Sequence, residues 1–173
     1  GILIEPYQTS LVKPDGTPLR VEPARAANAV AALWNDTPAA WLPEESRVLV
    51  FEDKETRTIP LRLAPGDELL DFSHDDGSLT GAVWRDGRVH LITYDPATGE
   101  PRSTEATAIE SRACALASGG SVLWTQETRA LLRKPDLSVV EVDAGAALRG
   151  LRRSAKNWLQ AQSDDGRVFL IRV

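Results

Sequence analysis

The chain has 173 residues, a formal charge of −5 and a single cysteine, Cys114. That length suits one domain with a core that needs no crosslinks, the lone cysteine excludes an internal disulfide, and the acidic balance gives no reason to expect nucleic-acid binding. No apolar run is long enough to cross a bilayer as a helix and no leader-like segment opens the sequence; the default expectation is a cytoplasmic protein with no membrane partner, although a cysteine-poor exported protein has the same signature.

Residues 2–4, 10–12 and 18–21 read as short strands, in the places of the second, third and fourth strands of a four-stranded unit. Residues 23–34 are rich in alanine and compatible with a helix, yet within a repeat frame residues 29–33 read as an inner strand. Trp41, Trp84 and Trp124 then each end a short apolar run, and Ser163 takes the same place in a fourth. After each come a polar turn and a second apolar run, at 47–51, 88–92, 129–132 and 167–171. Self-similarity at a period of about forty residues marks a propeller or a solenoid.

The clearest unit covers residues 68–105. Residues 69–72 form an inner strand, 73–78 a turn, 79–84 a second strand, and Arg85-Asp86-Gly87 a tight hairpin in which Gly87 takes a positive φ. Residues 88–94 make a third strand, Pro96 and Gly99 shape the next turn, and a polar outer strand follows Pro101. Cys114 sits in the inner strand of the next unit, and residues 144–157 present a helix or a further inner strand. The last unit repeats the pattern from Trp158 through the Ser163-Asp164-Asp165-Gly166 turn to Val173.

On these residues the chain resembles the WD-repeat β-propeller family. Residues 72–100 are similar to that family's inner strand, Asp-Gly turn, second strand, hairpin and third strand, with Tyr94-Asp95 where the family ends on Trp-Asp. The family's Gly-His dipeptide is missing, so its buried His-Asp network does not carry over; propeller families with looser repeats fit about as well. The resemblance spans residues 29–173 and implies an all-β, β-propeller-like fold of about four to five four-stranded antiparallel blades, some incomplete at the termini. Residues 1–173 form one domain, with blade boundaries near 23, 67, 108 and 147. Because both ends carry second and third strands, the expectation is either a small ring with two incomplete blades or a ring completed by another segment or another copy.

The sequence offers no catalytic constellation. With only His74 and His90, a histidine-rich metal site is excluded. Adjacent side chains in Ser73-His74-Asp75 cannot point at one another as a triad requires, and the Asp-Gly turns lack the ligand count that calcium needs. Ser73-His74-Asp75-Asp76-Gly77 faintly resembles the Asp-box of sialidase-type propellers, a folding element that brings no catalytic residue. Cys114 lies among small apolar residues and reads as buried. No cofactor is expected.

Residues 144–173 hold six cations against two carboxylates, a balance of +4 beside −9 for the rest. The expected function is therefore a non-catalytic scaffold holding a protein partner, an acidic one by charge, through Arg149, Arg152, Arg153, Lys156 and Trp158. Reversing Arg152 and Arg153 is expected to weaken that partner's binding without changing stability. The alternative is a carbohydrate-binding propeller, or the scaffold of a glycan-processing enzyme, whose repeated tryptophans stack on sugars.

Overall fold

The computed structural model describes residues 29–173 except Asp36, Asp53, Lys54, Asp76 and Lys156 (and the side chains of Ser118 and Ala155), together with the backbone of three N-terminal strands. Those strands, β1 (Ile2–Glu5), β2 (Gln8–Val12) and β3 (Pro18–Leu19), form an antiparallel first sheet. The second blade is β4 (Val30–Trp34), β5 (Thr37–Leu42), β6 (Arg47–Phe51) and β7 (Thr56–Pro60). The third is β8 (Glu68–Asp75), β9 (Ser78–Arg85), β10 (Arg88–Tyr94) and β11 (Pro101–Ala106). The fourth is β12 (Cys114–Leu116), β13 (Val122–Gln126), β14 (Arg129–Arg133) and β15 (Val139–Val142). The fifth has three strands, β16 (Leu148–Ala155), β17 (Trp158–Ser163) and β18 (Val168–Arg172).

Each blade is a meander of consecutive antiparallel strands. The inner strands β4, β8, β12 and β16 touch in that order, and β16 returns to β4. This is an all-β, propeller-like fold. Between the second and third blades the contact becomes a parallel pairing, Leu33 with Ser73 and Trp34 with His74, which merges both into one eight-stranded sheet. The helical alternatives do not form: residues 30–34 and 148–155 are strands, while residues 20–28 lie outside the described residues. Among the described residues, no helix is long and apolar enough to cross a membrane.

Strand alternation sends one face of each blade to each neighbour. Trp34, Trp41, Val50, Ile59, Phe72 and Tyr94 fill the second interface; Ala82, Val89, Leu91, Leu116, Val122 and Trp124 the third; Leu123, Leu132, Leu148, Leu159 and Ala161 the fourth. Each fully buried large aliphatic side chain among them contributes about 1.5–3 kcal/mol.

Two expectations are corrected. Strand β8 runs on through Ser73-His74-Asp75, because Asp75 pairs with Ser78 across a two-residue turn in which Gly77 has φ 80°. The tryptophan register also splits. Trp41 and Trp84 stand one residue before the pair that closes their hairpin (Leu42 with Arg47, Arg85 with Arg88), whereas Trp124 stands two before Gln126 and Arg129. A one-residue slip in a strand turns a side chain to the other face. Trp41 and Trp84 therefore pack toward the following blade and Trp124 toward the preceding one.

Candidate functional site

The fifth blade gathers most of the residues expected to bind a partner. In the β16–β17–β18 register Arg149 lies opposite Gln162 and Arg152 opposite Gln160; Trp158 faces Arg172, Gln160 faces Leu170, and Gln162 faces Val168. Directly opposed side chains share a face. A bulge containing Gly150 (φ 58°) and Leu151 keeps Arg149 and Arg152 on the same side. The result is one face bearing Arg149, Arg152 and Arg172 beside Trp158, Val168 and Leu170, the last three 39%, 58% and 61% exposed. The opposite face carries Leu159, Ala161, Phe169 and Ile171 into the interface with the fourth blade. Arg149 makes an exposed pair with Asp164 at 3.3 Å, which is worth little.

Arg153 is not on that face. It pairs with the inward Leu159, its side chain is 1% exposed, and its guanidinium holds Asp75 of β8 at 2.7 and 3.1 Å. Reversing its charge would bury two like charges together, so the expectation that such a change leaves stability untouched does not fit this geometry. Lys156 lies outside the described residues. Trp34 is buried and stacks on His74 with ring centroids 3.9 Å apart and 4° between planes. Burial holds the His74 imidazolium below its ordinary pKa.

A second site, a cleft of about 480 Å³, opens between the third and fourth blades. Its cause is a difference in strand length: β8 spans eight residues and β12 three, because the chain turns back at Ser118–Gly120 with Gly119 and Gly120 at positive φ. The uncovered end of the third blade exposes the Thr80, Thr93 and Ser103 row and the Ser73, Asp75 and Ser78 group. Arg133, Lys134 and Leu137 come from the β14–β15 turn opposite, where Leu137 takes a left-handed φ of 68°. Asp75 is paired with Arg153 and Glu105 with the buried Arg133. The alternation of small hydroxyl residues along β8–β11 and the Gly-Gly dipeptide are the sequence signals for this cleft, and they pass unnoticed because each reads alone as an ordinary turn or solvated strand.

The remaining candidates are structural. Cys114 is buried and its thiol is pushed up to about 12 by desolvation, unsuited to nucleophilic chemistry. Trp41 and Trp124 are buried, and Trp84 is half-buried beneath the Arg112 guanidinium, 5.0 Å from the ring centroid. Among the described residues, no three His, Cys, Asp or Glu side chains converge.

No protein-family model and no curated protein matches the chain. Among solved structures, a catalytically inactive virginiamycin B lyase from Staphylococcus aureus with quinupristin is similar at 13% identity and a TM-score of 0.46, over 95% of this chain. A protein of unknown function from Bacteroides caccae is similar at 11% identity and a TM-score of 0.46, over 96% of this chain and 69% of its own. The chain spans 62% of the lyase's length. Neither likeness assigns a residue or an activity to this chain.

Proposed function

We propose that this chain is a non-catalytic interaction module that holds an acidic protein partner on the open face of its fifth blade. The observation that carries the reading is the sharing of one face by Arg149, Arg152 and Arg172 with the exposed Trp158, Val168 and Leu170. Apolar side chains of this size are covered where they face a neighbouring blade, and aromatic and arginine anchors dominate binding energy where partners meet. The three guanidinium groups select for carboxylates and speed the encounter. Similarity in pattern to WD-repeat propellers supports the platform role by analogy alone.

The test is a double charge reversal, Arg149→Glu with Arg152→Glu, with Arg153 kept so that the interior is undisturbed. The unaltered chain and the variant are used to capture proteins from native lysate. Support requires a stoichiometric acidic protein retained by the first, lost by the second and by Trp158→Ala, with melting temperatures within a degree or two of one another. Retention of the same protein by the double variant overturns the assignment. Self-association through this face, seen as a concentration-dependent solution mass that the variant abolishes, also overturns it and makes a second copy the occupant.

A further inference from the structure

We infer that the cleft between the third and fourth blades binds a small neutral polyhydroxylated ligand, of the size of one or two sugar rings. The inference is independent of the fifth-blade face, which lies on a different sheet surface.

The first observation is a set of hydroxyls without protein partners. None of the hydroxyls of Ser73, Ser78, Thr80, Thr93 and Ser103 hydrogen-bonds to another described residue, although all five line the cleft. Ser73 stands on the inner strand β8 with most of its surface covered, yet it lines the cleft, so its hydroxyl is open to that space rather than buried in the interior. Each hydroxyl donates once and accepts twice, so the row can both give hydrogen bonds to and take them from the hydroxyls of a polyol.

Charge is the second observation. Asp75 and Glu105 are each engaged by an arginine, so the charges along the walls largely cancel. Exposed Lys134 alone adds a charge, at the rim. Leu91 and Leu137 supply the apolar surface that a sugar's C–H face requires. The volume falls within the range of about 300–1,000 Å³ common to small-molecule sites.

The experiment titrates the chain by calorimetry and saturation-transfer NMR with glucose, galactose, N-acetylglucosamine, trehalose and myo-inositol, beside glucuronate and inorganic phosphate as charged comparators. The expected result is saturable millimolar or tighter binding of at least one neutral probe. Thr80→Val with Thr93→Val removes two hydroxyls at constant shape in strands that favour valine, and should weaken that probe about tenfold. Ser103→Trp, on an exposed position of β11, should abolish binding by filling the cleft and guards against misfolding of the paired variant. Binding of the charged comparators alone, binding unaffected by both variants, or no binding of any neutral probe overturns the inference. The fifth-blade double reversal should leave the titration unchanged, so the two sites fail or stand separately.

Discussion

Asp71 is buried between the third and fourth blades, where its carboxylate accepts the Phe72 N–H at 2.8 Å and the Leu116 N–H at 2.7 Å. Desolvation nevertheless dominates these bonds and the field of Arg153, and pushes the carboxyl up to about 7. The folded chain therefore keeps this proton after the unfolded chain has lost it near pH 4. Stability from this group is complete below that value and declines as pH rises through about 7. His74 works in the opposite sense: its lowered pKa means that the unfolded state protonates first, and stability is lost as pH falls below about 6.5. Carboxyl carbon NMR should show Asp71 titrating near neutrality; a midpoint near 4 would refute the burial argument. Asp71→Asn turns one acceptor into a donor facing an N–H, and should cost about 1–3 kcal/mol in urea unfolding at neutral pH.

At the scale of turns and strands, Gly99 and Gly87 make an informative pair. Both hold positive φ, 71° and 81°. Gly99 also presses against the second blade, its carbonyl accepting the Arg62 N–H at 3.0 Å, and a Cβ there would overlap the Pro60 carbonyl. A Cβ at Gly87 meets nothing within 4 Å. Gly87→Ala should therefore cost only the left-handed backbone penalty of about 1–2 kcal/mol, and Gly99→Ala clearly more, since it also drives two blades apart. Equal losses in urea unfolding would show that the close approach is not energetically used. The same scale explains what could be read from sequence. Hairpins announce themselves through residues such as Asp86-Gly87, and alternation in 88–94 gives both strand and buried face. Trp124 shows the limit, because the hairpin closure that sets its face depends on pairing between strands and leaves no mark on the apolar pattern. The fifth-blade face was legible as a cluster of charge, with Arg153 wrongly included: a bulge at Gly150 decides which arginines share a side. The cleft was illegible for a further reason, since it exists only where a long blade stands beside a short one.

For the whole molecule, a long-reaching connection is Arg153 of the fifth blade holding Asp75 of the third, 78 residues away in sequence. Removing one member leaves the other charged and enclosed, so Arg153→Met should cost about 3 kcal/mol or more, and Arg153→Met with Asp75→Asn should restore much of it. Failure of the double change to recover stability would place the arginine's role in its other contacts. The consequence reaches into how the molecule comes apart. Each sheet is made of consecutive residues, an arrangement that assembles through short loops and, like other repeat arrays, can fray one unit at a time from an end. The strut and the β16–β4 contact bind the last unit to units far earlier in the chain and so oppose that stepwise loss. Amide exchange across the native fifth blade should accordingly follow global unfolding, whereas in Arg153→Met residues 148–172 should exchange first, as a separate cooperative block.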